Sequence, residues 1–233
     1  MISLYIKKLR FVIKRVTDEK WMHDSLFQTI AFNFKYLPLR QAVHLPIFLH
    51  KVNAKDFHGR IKILSNVEPG IIKIGQHTIS IFADSGTFIN GSGEIVFEKT
   101  ANIGGGTFMS IGSEGKLYFG DKFTVTGEMK LVCYNKITFG KSVLVGWECR
   151  FQDKDFHQLC TPDMKILGED NAPINIGDYC WFAQRCSVFK GTTLQKRTVV
   201  ASNSLLNKKY DKSYCMLAGT PARIVKENVM LHH

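Results

Sequence analysis

The sequence lacks three features, each of which would have assigned it to a different class of protein. No apolar run approaches the roughly 18 residues that a membrane-spanning helix needs. No two cysteines have the C-x-x-C spacing, and this absence argues against a zinc site. No secretory signal precedes the 6 cysteines. We therefore expect reduced thiols in a cytoplasmic protein, with no bound metal.

Acidic residues are also scarce relative to basic ones. The chain has 31 lysine and arginine residues against 20 aspartate and glutamate residues, which gives a formal net charge of +11. Such a surplus indicates anionic partners, among them phosphates, acidic glycans, nucleic acid and membrane head groups. We expect no nucleic-acid partner, because no aromatic-basic recognition module and no helix-turn-helix pattern accompanies the charge.

What the sequence does contain is a repeat of six residues. Large apolar residues recur at every sixth position from Ile176. A second residue stands two positions before each of them, and apart from Ile174 these preceding residues all have small side chains. The apolar series is Ile176, Phe182, Val188, Leu194, Val200 and Leu206, and the preceding series is Ile174, Cys180, Cys186, Thr192, Thr198 and Ser204. A period of six does not fit a helix. The pattern predicts a mainly β fold, a triangular parallel β-helix with large residues inside and small residues at tight corners.

The same spacing recurs less regularly in the first half of the chain. One further series is Phe119, Val125, Leu131, Ile137, Val143 and Cys149. Together the series predict five or six coils between about Ile71 and Leu206. An ordinary β-sandwich is the alternative fold, although its turns would recur at intervals of about 8 to 12 residues.

Three motifs in the last third resemble the hexapeptide-repeat acyltransferase family, and within it the polysaccharide and sugar O-acetyltransferases. They are IGDYCWFAQRCSVFKG at 176–191, VVASNS at 199–204 and AGTPAR at 218–223. The resemblance implies a left-handed parallel β-helix of hexapeptide repeats. Together with the extent of the repeat, it divides the chain into an N-terminal amphipathic helix and a helical or irregular cap over 1–65 and the β-helix acyltransferase domain over 66–233. This domain includes a catalytic loop over 152–173, where the repeat is interrupted, and a short C-terminal tail over 207–233.

The predicted catalytic loop contains a candidate general base. The six-residue spacing breaks after Phe151, and the insertion carries Asp153, Asp155 and His157 at alternating positions. An alcohol attacks a thioester only when a base takes its proton, and histidine suits that task near neutral pH. A carboxylate would fix the imidazole tautomer, and either aspartate is a candidate. The placement resembles the catalytic histidine region of the family, which implies that His157 is the base. The alternative is a solvated loop histidine.

The resemblance also implies an acetyl-CoA site between the subunits of a homotrimer. Backbone groups at Ala183, Ala201 and Ser202 would hold the pantetheine arm, and Trp181 would pack near the thioester. The nucleotide end would meet Thr220, Pro221, Arg223 and Lys226. The alternatives are that Trp181 is a packing residue at a subunit contact and that the two basic residues are ordinary solvated charges.

The N-terminal region does not follow the repeat. Residues 1–16 are predicted to form an amphipathic basic helix, which fits either peripheral contact with an anionic membrane or packing on the β-helix or across the trimer. A cap must cover the open first coil, and four apolar side chains are expected to do so: Phe32, Phe34, Tyr36 and Leu39.

These observations predict transfer of an acetyl group from acetyl-CoA to a sugar hydroxyl, in capsule, lipopolysaccharide or exopolysaccharide biosynthesis. A small free sugar or an antibiotic is the alternative acceptor. Two other functions remain open. A γ-type carbonic anhydrase needs three zinc-binding histidines, but only His77 and His157 fall inside the repeat. A non-catalytic β-helix for binding or scaffolding needs neither a histidine loop nor a C-terminal motif of this kind.

Overall fold

The fold is known from a computed structural model, which describes residues 25–76 and 85–232. In these ranges two helices, α1 (Leu26–Tyr36) and α2 (Leu39–Ala42), precede a long series of short strands. Among the described residues no helix has the length and apolar character needed to cross a bilayer. The amphipathic basic helix predicted over 1–16 lies outside the described residues.

Three sheets, named faces A, B and C here, form the walls of a triangular prism. Face A contains, in pairing order, β1 (Ile47–Leu49), β4 (Ile72–Gln76), β7 (Ala101–Gly104), β10 (Phe123–Val125), β13 (Leu144–Val145), β18 (Trp181–Phe182), β21 (Val199–Val200), β24 (Cys215–Gly219) and the antiparallel β25 (Ala222–Glu227). Face B contains β2 (Val52–Asn53), β5 (Thr87–Gly91), β8 (Phe108–Ile111), β11 (Lys130–Cys133), β14 (Arg150–Gln152), β19 (Ser187–Phe189) and β22 (Leu205–Leu206). Face C contains β3 (Arg60–Ile63), β6 (Glu94–Phe97), β9 (Lys116–Phe119), β12 (Lys136–Phe139), β17 (Ile174–Ile176), β20 (Thr193–Leu194) and β23 (Lys209–Tyr210).

The chain visits faces A, B and C in turn, and each visit to all three makes one coil. The described strands form seven such coils between Ile47 and Tyr210, and β24 starts another. The first coil lies in the range expected to form the cap, and the seventh coil ends within the range expected to form the tail. The first coils do not show the six-residue period because their turns are longer and vary in length.

Large apolar side chains fill the prism, as the repeat predicts. All six members of the series that begins at Ile176 are buried. Aromatic residues stack between coils on face C, where the ring of Phe119 lies 5.2 Å from that of Phe97 and 5.6 Å from that of Phe139. Burying one such side chain stabilises the fold by about 1.5–3 kcal/mol, so the stack is a major part of the core.

The small residues of the repeat lie at the tight corners, also as predicted. Thr192, Thr198 and Ser204 are buried, and each hydroxyl donates a hydrogen bond of 2.7 Å to the carbonyl oxygen three residues earlier. The residue before each of them has a left-handed backbone, with φ of +58° at Arg197 and +59° at Asn203. The hydroxyl thus satisfies a carbonyl group that the turn would otherwise leave buried and unpaired.

The helix α1 covers the first coil. The side chain of Asn33 donates to the carbonyl of Ile47 at 2.7 Å and accepts from its N–H at 3.1 Å. The hydroxyl oxygen of Thr29 accepts from the N–H of Leu49 at 3.0 Å. The edge strand β1 has no neighbouring strand on this side, and these two side chains make the hydrogen bonds that such a strand would make.

The four residues expected to cover the first coil divide into two pairs. Phe32 is buried, and the hydroxyl of Tyr36 donates to the carbonyl of Phe57 at 2.6 Å, so both belong to the cap. The prediction was wrong for Phe34 and Leu39, which are 49% and 68% exposed because they lie on the outer side of the helical segment.

Candidate active site

The predicted catalytic loop leaves the prism at the edge between faces B and C. It joins β14 to β17 in the fifth coil, and its outer part is an antiparallel hairpin of β15 (Leu159–Cys160) and β16 (Ile166–Leu167). Both hairpin strands are exposed, so the loop projects from the scaffold rather than packing into it.

Asp153 anchors the base of this loop. Its side chain is fully buried, and its two carboxylate oxygens accept the backbone N–H groups of Tyr134 at 2.7 Å and Asn135 at 2.9 Å. Burial raises the pKa of this carboxyl group, although the two amide hydrogen bonds act in the opposite direction. Asp153 was one of two candidates to orient His157. The carboxylate instead binds the backbone of the turn after β11, so the role of Asp153 in this structure is to hold that turn.

Two ion pairs hold the sides of the loop together. Lys154 Nζ lies 2.7 Å from Asp170 Oδ2, and this contact lowers the pKa of Asp170. Lys190 Nζ lies 2.8 Å from Asp155 Oδ2 and also donates to the carbonyl of Glu169. The carboxylate of Asp155, the other candidate partner of the imidazole, therefore faces Lys190 in this conformation.

His157 is exposed on the loop. In the part of the chain that the structure describes, it forms no hydrogen bond or ion pair. The preceding residue, Phe156, has a φ of +67°, a value that a bulky side chain rarely adopts. The structure thus presents the imidazole to solvent from a strained position, but it places neither Asp153 nor Asp155 against the ring.

The predicted donor-binding residues gather along a different edge, between faces A and B. Ala183, Ala201 and Thr220 follow β18, β21 and β24, which are neighbours on face A. The N–H groups of Ala183 and Ala201 donate to Val200 at 2.8 Å and Leu217 at 2.9 Å, so these two amides already serve the scaffold.

Ser202 and Pro221 extend this group toward the C-terminal end of the prism. Ser202 is exposed beside Ala201, and the hydroxyl of Thr220 donates to the carbonyl of Asn203 at 3.3 Å. Pro221 is exposed in the turn between β24 and β25. The signature AGTPAR is therefore a hairpin that closes the last coil.

Trp181, Arg223 and Lys226 lie on the outer side of face A. Trp181 is half-buried and pairs in register with Leu144 and Val199. Arg223 and Lys226 are exposed on β25, and neither forms a salt bridge with any described residue. Both cations are thus open to an external anion.

The two predicted groups do not meet within one chain. The loop with His157 leaves the edge between faces B and C, whereas the donor residues lie on face A and on the edge between faces A and B. Within residues 25–76 and 85–232, no three histidine, cysteine or acidic side chains are close enough to hold a metal ion. His77 lies outside the described residues.

Sequence reasoning missed two residues that shape the loop. Lys190 holds Asp155, and the ring of Tyr134 supports Phe156, with 4.9 Å between ring centroids. They lie one coil above and one coil below the loop, so only knowledge of how the coils stack would have connected them to it.

Comparison with known proteins identifies three sequence relatives. The chain is 30% identical over 146 residues to an uncharacterized 24.8 kDa protein in the cps region of Klebsiella pneumoniae, covering 63% of this chain and 64% of the relative. It is 32% identical to the probable acetyltransferase Rv3034c of Mycobacterium tuberculosis, covering 48% and 38%. It is 23% identical to Escherichia coli K12 WbbJ, provisionally named a lipopolysaccharide biosynthesis O-acetyl transferase, covering 60% and 75%. The chain thus spans less than two thirds of the first two relatives.

Solved structures also share the fold, and one of them is the polysialic acid O-acetyltransferase OatWY. It superposes with a TM-score of 0.54 and 18% identity, covering 80% of this chain and 90% of OatWY. No protein-family model matches the chain. The shared architecture confirms the predicted left-handed parallel β-helix. Fold and sequence together confirm that the chain resembles the hexapeptide-repeat acyltransferases, and two of its sequence relatives are named as acetyltransferases.

Proposed function

We propose that the chain is an O-acetyltransferase that moves an acetyl group from acetyl-CoA to a sugar hydroxyl of a surface polysaccharide. Two of the sequence relatives are named as acetyltransferases, and the name of WbbJ includes lipopolysaccharide biosynthesis. The third lies in a region named cps. The observation that carries the proposal is the projecting loop, because it interrupts a regular scaffold only to expose a histidine from a strained backbone.

In this proposal His157 is the general base. Its neutral imidazole removes the proton of the acceptor hydroxyl, and the oxygen attacks the carbonyl carbon of the thioester. Backbone N–H groups near the reacting carbon stabilise the tetrahedral oxyanion. As the C–S bond breaks, the protonated His157 returns the proton to the leaving thiolate. Asp155 and Lys190 position the loop, and Asp153 holds its base.

The residues on the edge between faces A and B fit a CoA-like molecule. Ala183 and Ala201 present small side chains on successive coils, which leaves room for an extended arm along the edge. Ser202 is exposed beside them. At the end of the prism, Arg223 and Lys226 are free of salt bridges with described residues and suit phosphate groups.

The separation of the two groups supports a site shared between subunits of a homotrimer. A loop from one subunit would reach the donor edge of its neighbour, and Trp181 would line the seam. The outer side of face A supports this arrangement, because Leu144, Trp181, Val199 and Met216 are in register and form an apolar column. Light scattering tests it: a trimer mass is expected, and a strict monomer would contradict the shared site.

A thiol-release assay tests the function. Acetyl-CoA is incubated with the protein and a panel of oligosaccharides, free sugars and aminoglycoside antibiotics, and release of CoA is followed. His157→Ala should lower turnover by about 100-fold or more, since a general base contributes that much. Its affinity for CoA should not change. The exposed His58 on the first coil provides the matched control, and His58→Ala should behave as the parent protein.

Two outcomes would change the proposal. Equal turnover in His157→Ala and the parent would remove His157 from the mechanism. Preference for a free sugar or an antibiotic over every oligosaccharide would replace the polysaccharide acceptor by a small one.

For the proposed membrane contact of residues 1–16, the test is flotation with anionic vesicles, and equal flotation after deletion of these residues would refute it.

A further inference from the structure

A cleft on face B is not explained by the donor edge or by the loop. It has a volume of about 510 Å³, which is within the range of small-ligand sites. It opens beside the edge between faces A and B and extends over the second to fifth coils. The predicted donor residues Ala183 and Ala201 lie on the same edge in the sixth and seventh coils, directly next to the cleft. Its lining residues are Ser85, Gly86, Phe88, Gly106, Phe108, Glu128, Lys130, Glu148 and Arg150.

Four of these side chains form one straight column. Phe88, Phe108, Lys130 and Arg150 pair in register on four neighbouring strands, so they follow one another across about 14 Å at the usual strand spacing. The rings of Phe88 and Phe108 are stacked, with centroids 4.8 Å apart and planes 14° apart. They are 39% and 46% exposed, so a flat apolar platform faces the cleft.

The charges of the cleft leave two cations available. Glu128 accepts a hydrogen bond from the hydroxyl of Ser85 at 3.0 Å, and Glu148 pairs with Arg185. Lys130 and Arg150 form no salt bridge with any residue in the ranges 25–76 and 85–232. Only Glu148 is neutralised by a cation, so the cleft carries the negative charge of Glu128 and the positive charges of Lys130 and Arg150 beside the aromatic platform, a surplus of one positive charge.

The backbone keeps the cleft open at Gly106. Its φ is +72°, and a Cβ there would lie 2.7 Å from the Glu128 side chain and 2.9 Å from that of Ser85. A larger residue would collide with both side chains and strain the turn. A side chain at this position would therefore fill part of the cleft.

From these observations we infer that the cleft binds an acidic glycan, which is the acceptor of the proposed transferase. The apolar faces of its sugar rings pack on Phe88 and Phe108, and its carboxylates pair with Lys130 and Arg150. The strand β14 leads from Arg150 to Asp153 at the base of the loop, a distance of about 10 Å along the strand. A chain of sugars held in the cleft also lies below the donor edge, so it extends toward the place where the loop of a neighbouring subunit is proposed to act. The inference rests on the proposed function for its role as acceptor, but binding itself can be tested separately.

The test measures binding of the labelled full-length protein to an array of acidic and neutral oligosaccharides. We expect acidic glycans to bind and neutral glycans of equal length to bind at least tenfold more weakly. Phe108→Ala should weaken binding about fivefold to tenfold, the range expected for one aromatic contact. Lys130→Gln and Arg150→Gln should each reduce it further in low salt. Phe34→Ala and Lys116→Gln, both exposed and outside the cleft, should bind as the parent.

The outcomes that overturn the inference are distinct from failure of the proposed function. Absence of glycan binding, equal binding of neutral and acidic glycans, or full binding by the cleft variants would each overturn it. A change of oligomeric state in Phe108→Ala would assign the cleft to a subunit contact instead. Binding of acidic glycans in the cleft without CoA release from any acceptor would leave the site in place and remove the transferase.

Discussion

The ring of Phe156 packs edge-on against the ring of Tyr134, with centroids 4.9 Å apart and planes at 80°. This contact joins the loop to the fourth coil at the residue directly before His157. Because Phe156 has a φ of +67°, its backbone is held in a costly conformation, and the ring contact with Tyr134 helps to offset that cost. The position of His157 therefore depends on a residue on a neighbouring coil.

Replacing Tyr134 by leucine should misplace His157 without removing it. We expect kcat for acetyl transfer to fall roughly tenfold, because small displacements of a reacting group are costly. The KM for acetyl-CoA should not change, since the donor residues lie on another edge. Tyr134→Phe keeps the ring and serves as the control. If both variants retained the parent kcat, the contact would have no part in positioning the base.

The ion pair between Lys190 and Asp155 should restrain the loop without contributing much to global stability. The contact is 2.8 Å long, but its side chains are 29% and 45% exposed, and pairs of this kind contribute at most about 1 kcal/mol. Lys190→Gln should therefore increase amide hydrogen exchange over residues 154–171 and leave the melting temperature nearly unchanged.

Lys212→Gln is the matched control, because it breaks a comparable surface ion pair with Glu227 far along the chain from the loop. It should leave exchange over 154–171 as in the parent. Unchanged exchange of this segment in Lys190→Gln would mean that the loop is held by the contacts of Asp153, Lys154 and Phe156 without Lys190.

The sequence predicted the parts of the fold that follow a strict period. From Ile176 to Leu206 every coil has the same length, so burial of the apolar series and of the small corner residues could be predicted position by position. The first coils have unequal turns, and the start at Ile47 could not be found in that way. The structural role of Asp153 could not be predicted either. In the sequence, an aspartate that accepts backbone N–H groups cannot be told apart from an aspartate that orients a catalytic histidine.

Asn33 should be important to the stability of the first coil. It is fully buried, and its amide group makes hydrogen bonds to both backbone groups of Ile47 and to the carbonyl of Thr29. Asn33→Ala leaves a buried N–H and a buried C=O without partners, each at a cost of about 1–3 kcal/mol. We expect a clear loss in the free energy of unfolding, measured in urea at fixed protein concentration. The exposed neighbour Phe34 offers the control, and a loss in Phe34→Ala as large as in Asn33→Ala would contradict this account of the cap.

The raised pKa of Asp153 predicts an unusual pH dependence. Burial raises the pKa in the folded protein above the ordinary value of about 3.9 in the unfolded chain, so between these two values the folded state binds more protons. In that window the contribution of Asp153 to the free energy of unfolding decreases as pH rises. Asp153→Asn removes this titration. The destabilisation that it causes should therefore be larger near pH 4 than at neutral pH, when both proteins are compared by urea unfolding.

Asp163 provides a control of opposite sign within the same loop. The hydroxyl of Thr161 lowers the pKa of its carboxyl group, so any stability that it contributes is present above about pH 3.9 and is lost as pH falls further. The effect of Asp163→Asn should shrink toward acid, whereas that of Asp153→Asn should grow. Carboxylates elsewhere in the chain titrate identically in parent and variant and cancel in the difference. If the effect of Asp153→Asn shrank toward acid as well, the amide hydrogen bonds of Tyr134 and Asn135 would outweigh burial at this site.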